Sequence, residues 1–129
     1  MNLLSKEQFL SADDVQYEKF FVAPLKGNVR IRSISATDKD RFEQTFSGEG
    51  DIYEHLRAHL IAMSVVDENG NLIFDSKSKE DIRVIGQKSA LAIDIIVERI
   101  QKLNKITNEE LDEAVKNFEG TLDSKSDGE

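Results

Sequence analysis

The chain has 129 residues, no cysteine, one proline and seven glycines, with 39% hydrophobic and 33% charged side chains. This excludes disulfides, thiolate chemistry and Cys-ligated zinc, and it is the composition of a globular domain with a sizeable core. The formal charge of −8 is the wrong sign for a duplex nucleic-acid or anionic-membrane binder, whose affinity rests on neutralising phosphates.

The charge is uneven. Thr107 to Glu129 holds eight acids and two lysines, a net of −6, whereas the preceding 106 residues hold 17 acids and 15 bases. A nearly neutral body is therefore followed by an acidic end suited to basic or amphipathic partners. No apolar run reaches the ~20 residues that span a bilayer. Met1 to Ala12 lacks a basic start and an apolar core, so no signal peptide is expected.

Taken in chain order, Ser5 caps a short helix through Lys6–Leu10. Tyr17–Val22 is aromatic and β-prone, and Val29-Arg30-Ile31-Arg32 alternates apolar and basic residues as a strand with one wet face does. The intervening Ala23-Pro24-Leu25-Lys26-Gly27-Asn28 is turn chemistry, with Gly27 or Asn28 expected at positive φ. The prediction is a β-hairpin with Arg30 and Arg32 towards solvent and Glu18 near one of them.

Ser35 caps a second helix running to about Phe46, with Asp38 in the reciprocal capping position and Phe42 and Phe46 four apart on one face. Ser47 to Asp51 stops it. Ile52, Leu56, Leu60 and Met63 then form one stripe of a helix to about Met63. Ser64-Val65-Val66 reads as extended, and the Asn69-Gly70 pair signals a second hairpin, with Leu72-Ile73-Phe74 returning. Ser76 or Ser78 caps a helix from Lys79 to about Gly86, with Ile82 and Ile85 as its apolar side. Ser89 to Lys105 has the strongest helical period. Ile93, Ile96, Val97, Ile100 and Leu103 share a face, widened by Leu91 and Ile95, and Glu98 precedes Lys102 in the favourable order. Such a broad stripe predicts a central helix covered by several elements. Thr107-Asn108-Glu109-Glu110 is a further capping box, opening a helix to about Phe118 with Leu111, Ala114, Val115 and Phe118 on one face. The expected fold is α+β: a small, mostly helical single domain over residues 1–118 with two hairpins, followed by a disordered acidic tail over 119–129.

Candidate chemistry is sparse. His55 and His59 lie four apart on a helix and could share a metal, but no third ligand is near and Arg57 opposes a cation; two partly exposed helix residues account for them. Asp67 to Asn71 faintly resembles a calcium loop, but its glycine is at the fourth position and no bidentate glutamate follows, so a hairpin turn explains it. Gly48-Glu49-Gly50 lacks the Gly-Lys-Ser/Thr of a phosphate cradle, and no serine sits in a nucleophile elbow. The expectation is no enzyme, no cofactor, no metal and no nucleic acid. For partner binding the candidates are Arg30 and Arg32, as a basic strand face or as gatekeepers against edge pairing, and Leu111, Val115 and Phe118. That last stripe belongs to a helix too short to stand alone, which must dock on the body or on a partner.

The segment order also carries a resemblance. Val29-Arg30-Ile31-Arg32-Ser33-Ile34-Ser35-Ala36 leads into the charged Thr37-Asp38-Lys39-Asp40-Arg41-Phe42. Then come Arg57-Ala58-His59-Leu60-Ile61-Ala62-Met63-Ser64-Val65-Val66-Asp67-Glu68-Asn69-Gly70, the return Leu72-Ile73-Phe74-Asp75, and a long helix ending Ile100-Gln101-Lys102-Leu103-Asn104. From Val15 to Thr107 this resembles the tail assembly chaperones of long-tailed bacteriophages. The resemblance implies a non-enzymatic protein of the bacterial host cytoplasm that binds the tape measure protein, keeps its long hydrophobic helices soluble and helps recruit tail tube subunits. It also implies absence from the mature virion and, in many such families, a longer frameshifted product. A generic protein-binding adaptor is the alternative, and a small metal-dependent protein using His55 and His59 is the third.

Overall fold

A computed structural model describes residues 2–45 and 56–109. Along the chain run α1 (Lys6–Ser11), β1 (Tyr17–Val22), a 3-10 turn (Ala23–Leu25), β2 (Gly27–Arg32), α2 (Ala36–Thr45), α3 (Leu56–Ser64), β3 (Val65–Val66), α4 (Lys79–Gly86) and α5 (Ala90–Asn104). The fold is α+β, a small single domain with an antiparallel sheet in the order β1-β2-β3. Among the described residues no helix is long and apolar enough to cross a membrane.

The hairpin forms in one continuous register, from Tyr17 opposite Arg32 to Val22 opposite Gly27. Its reversal falls earlier than the glycine suggests. Pro24 sits in the first turn of the 3-10 segment, where its fixed φ is already suitable. Lys26, at φ 58°, takes the left-handed position, and its N–H donates to Ala23 C=O. Gly27 is by then the first residue of β2.

The alternation of the strands decides which face is dry. Phe20, Val22 and Ile31 are buried on the inner face; Tyr17, Lys19, Phe21, Arg30 and Arg32 share the outer one. Glu18 is on the inner parity, not beside Arg30 or Arg32. Its carboxylate accepts from Arg99 of α5 at 3.4 Å, and the Arg99 guanidinium also lies 5.2 Å from the Phe20 ring centroid. The expected neighbour was wrong because Arg30 and Arg32 are odd-face partners of Lys19 and Tyr17 in the pairing.

Capping side chains start the helices where the sequence places them. Ser5 and Gln8 form a reciprocal capping box on α1. Ser78 accepts from Asp81 N–H on α4, and Ser89 from Ala92 N–H on α5. At α2, Ser35 Oγ accepts from Asp38 N–H at 3.0 Å, but the Asp38 carboxylate reaches Arg32 rather than returning to the cap. Aspartate is one methylene shorter than the usual glutamate of that motif, and a guanidinium lies within its reach.

The core lies between the inner sheet face and helices α3, α4 and α5. Helix α5 packs against α3, β1, β2 and the 3-10 turn, as a broad stripe requires. Ala92, Ile93, Ile96, Val97 and Ile100 are buried, and Ile95 and Leu103 pack at the margin. Leu91 departs from the expected stripe and is 64% exposed. At about 100° per residue, nine residues place it across the helix from Ile100. Helix α3 is enclosed more fully still, with Ala58, Leu60, Ile61, Ala62, Met63 and Ser64 all buried. Its predicted start at Ile52, together with Phe46 and the Ser47–Asp51 stop, lies outside the described residues. Phe42 of α2 is buried, as expected of a core aromatic.

The second hairpin is short. β3 pairs with β2 through Arg30–Val66 and Ile31–Val65, and the return arm contributes one bridge, Val66 to Leu72. The turn between them is held by Asp67, whose carboxylate accepts from Asn69 and Asn71 N–H, with Gly70 at φ 84°. The C-terminal end of α5 is closed by Lys105 in the left-handed conformation, and Ile106 folds back into the core.

Ser64 ends α3 with its hydroxyl buried and without a partner among the described residues. A buried hydroxyl left unpaired costs about 1–3 kcal/mol. Ser64→Ala is therefore expected to raise stability by about 1 kcal/mol in urea titration; a loss of that size would reveal a bond to this hydroxyl in solution.

Candidate functional site

The strongest convergence of charge and aromatic surface is on the outer face of the β1–β2 hairpin, over the Asp67–Asn71 turn. Strand alternation brings Tyr17, Lys19, Arg30 and Arg32 to this face. Arg30 lies 4.1 Å from the Tyr17 ring centroid, and its Nη1 donates to the carbonyls of Asp67 and Glu68 at 3.1 and 3.2 Å. The Lys19 ammonium is 3.2 Å from the Glu68 carboxylate. Arg30 is therefore a clamp between hairpin and turn, and its cation is already directed at fixed carbonyl dipoles and an aromatic face.

Arg32 is in a different setting two residues on. Its Nη2 is 3.3 Å from Asp38 Oδ2, and both side chains are about a quarter exposed (27% and 24%). Its Nε is buried without a partner among the described residues. Beside it is a cavity of about 310 Å³ lined by Asp14, Val15, Ser33, Ile34, Ser35 and Asp38, among others. The polar groups of this lining are largely engaged. Ser33 Oγ accepts from Gln16 N–H, Ser35 Oγ from Asp38 N–H, and Ile34 N–H donates to Asn104. Two carboxylates around one paired guanidinium make a poor anion site. Arg30 and Arg32 are thus neighbours on one face but serve two separate anchor points.

Of the remaining predicted residues, Leu111, Val115 and Phe118 lie outside the described residues, as do His55 and the tail over 119–129. His59 is half-buried on α3. Among the described residues no group of three or more His, Cys, Asp or Glu side chains could hold a metal. The carboxylate of Asp67, which would open a calcium loop, is occupied by the backbone of its own turn.

Sequence reasoning passed over the exposed apolar surface. Helix α1 buries none of its residues, and Leu3, Leu4, Phe9 and Leu10 are 65–95% exposed. Phe21 is 62% exposed at the end of β1. The signal for α1 was present: the large apolar residues of this arm come as adjacent pairs, Leu3-Leu4 before the helix and Phe9-Leu10 within it, rather than at the three- and four-residue spacing that lays a helix on its own core. For Phe21 the signal was parity, since Phe20 and Phe21 cannot both point inward from a strand.

No protein-family model, curated protein or solved structure matches the chain.

Proposed function

We propose that this protein is a tail assembly chaperone of a long-tailed bacteriophage, acting by reversible binding and not by catalysis. Its clients are the tape measure protein, whose hydrophobic helices it shields, and the tail tube subunits recruited around it. It works in the host cytoplasm and is left out of the finished virion.

The observation that supports this reading is the order of elements. The segments that carry the resemblance coincide with β2, α2, α3 with β3 and its Asn-Gly turn, the short return, and α5. The acidic C-terminal end supplies the client-binding stripe of Leu111, Val115 and Phe118, and its charge keeps the loaded complex apart from its neighbours. Among the described residues the core runs to Ile106, and beyond it Gln101 Nε2 donates to Asn108.

Co-expression with the tape measure protein of the same phage tests the proposal. The long client is expected to move from the insoluble to the soluble fraction only when this chain is present. Unchanged insolubility with well-expressed, folded chaperone would overturn the assignment. Truncation after Glu109 is expected to leave the melting temperature within a few degrees of the full chain while abolishing client solubilisation. Full solubilisation by the truncated chain would remove the C-terminal stripe from the client site.

A further inference from the structure

We propose that the free edge of β1 pairs with β1 of a second copy of this chain, forming a two-fold symmetric dimer in which each N-terminal arm docks on the other copy. This stands apart from the chaperone assignment and concerns a different surface.

The main chain shows the edge. Ser33 N–H donates to Gln16 C=O at 2.8 Å, so the hydrogen-bonded pairs of the hairpin are Gln16–Ser33, Glu18–Ile31, Phe20–Val29 and Val22–Gly27. The N–H and C=O groups of Tyr17, Lys19 and Phe21 then point away from β2. None of the described residues bonds to them. Of the devices that blunt an edge, β1 lacks proline and bulge and carries only charge, Lys19 and Glu18, each paired with an opposite charge of its own chain.

The strand is its own complement. A two-fold axis normal to the sheet keeps outer face with outer face, so odd-numbered residues must oppose odd-numbered ones. Centring on Lys19 sets all three outward residues opposite outward residues. Centring one residue to either side loses one of them. In the Lys19 register, Tyr17 faces Phe21 of the second copy and Phe21 faces its Tyr17, two aromatic cross-strand pairs. Lys19 faces Lys19, a repulsion in isolation. Each ammonium, however, is held 3.2 Å from its own Glu68, so two positive and two negative charges meet at the axis.

The arm supplies the rest of the interface. Residues 2–16 leave β1 at Tyr17, the end that antiparallel pairing sets beside Phe21 and the 3-10 turn of the second copy. Leu25 of that turn is 43% exposed and Phe21 is 62% exposed. α1 has a complete capping box but only six residues, none of them buried. An isolated helix needs ~12–15 residues to be even marginal in water, so α1 requires a surface that its own body does not provide. Leu3, Leu4, Phe9 and Leu10 with the three strand and turn side chains offer apolar area on the order of 700 Å² per chain, close to the ~800 Å² per partner of a stable interface.

Sedimentation velocity of the full chain between about 1 and 100 µM is expected to show a concentration-dependent monomer–dimer equilibrium. Phe21→Asp, at a position exposed in the monomer, is expected to weaken it at least tenfold with an unchanged far-UV spectrum. Because the chain has no cysteine, Tyr17→Cys with Phe21→Cys reports the register directly. The two positions are ~13 Å apart within one strand, beyond the ~7 Å limit of an internal disulfide. Mild oxidation should therefore give a closed covalent dimer. A monomer at every concentration with no covalent dimer would overturn the proposal. So would a dimer that ignores Phe21→Asp, or a chain that stays monomeric and captures extended peptides along this edge.

Discussion

Ile100→Ala is expected to cost about 3 kcal/mol of folding stability. Ile100 has no exposed surface and lies on the buried stripe of α5, the helix that packs against both α3 and the sheet. Truncating a buried isoleucine to alanine removes its transfer free energy and leaves a cavity, together 2–5 kcal/mol across measured cases. Ile100 belongs to the same buried cluster as Ile31 and Leu60, which are at most 1% exposed, so this core has little slack in which to collapse. Against a total of about 5–15 kcal/mol, such a loss should lower the melting temperature by roughly 10–20 °C. Chemical denaturation measures it. Leu91→Ala on the same helix is the control, because Leu91 is 64% exposed, and it should change stability by less than about 0.5 kcal/mol. Equal losses at both positions would mean that α5 is rotated from its described orientation.

Gly70→Val should destabilise by about 2 kcal/mol, through the backbone rather than the core. Gly70 holds φ at 84°, and a Cβ there would meet Tyr17 Oη at 3.0 Å. A left-handed conformation costs roughly 1–2 kcal/mol for a residue with a Cβ, and a β-branched side chain adds crowding. The Tyr17 hydroxyl is the far end of a side chain and can yield, so backbone strain is the larger part. Gly70→Asn should cost less than half as much, because asparagine tolerates this region. The consequence reaches the outer sheet face, since Arg30 is anchored on the Asp67 and Glu68 carbonyls of the same turn. Equal costs for valine and asparagine in urea titration would point to steric contact as the cause instead.

Local rules made a good part of this fold legible. Ser5, Ser35, Ser78 and Ser89 start helices because a side-chain oxygen placed before an amphipathic run satisfies an orphan N–H of the first turn. The Asn-Gly pair marked the second turn for an equally local reason. Where the local rule had two answers, the sequence misled. Glycine is the favoured left-handed residue, yet Lys26 and Lys105 take those positions. Their chains must reverse there to return Gly27 to β2 and Ile106 to the core.

The candidate site was less legible than the elements. Arg30 and Arg32 were visible as basic residues alternating on a strand. Their engagement with a turn about 37 residues away and with the first turn of α2 was not, because pairing partners distant in sequence leave no periodic trace. The capped helix α1 was legible, but its exposure shows only in the missing three- and four-residue apolar spacing and not in the cap, which is the same whether or not anything covers the helix.

The amino-acid sequence by itself determined the α+β class, the strand and helix order, the capped helix starts and the apolar stripe of α5. These depend on side-chain chemistry within a few residues and on periods of two and 3.6. Only the tertiary structure decided that Glu18 meets Arg99, that Arg30 clamps a turn, that Leu91 faces outward and that, among the described residues, none pairs with the outer edge of β1. Each of those follows from how whole elements are placed, where burial and charge are settled by neighbours many residues apart.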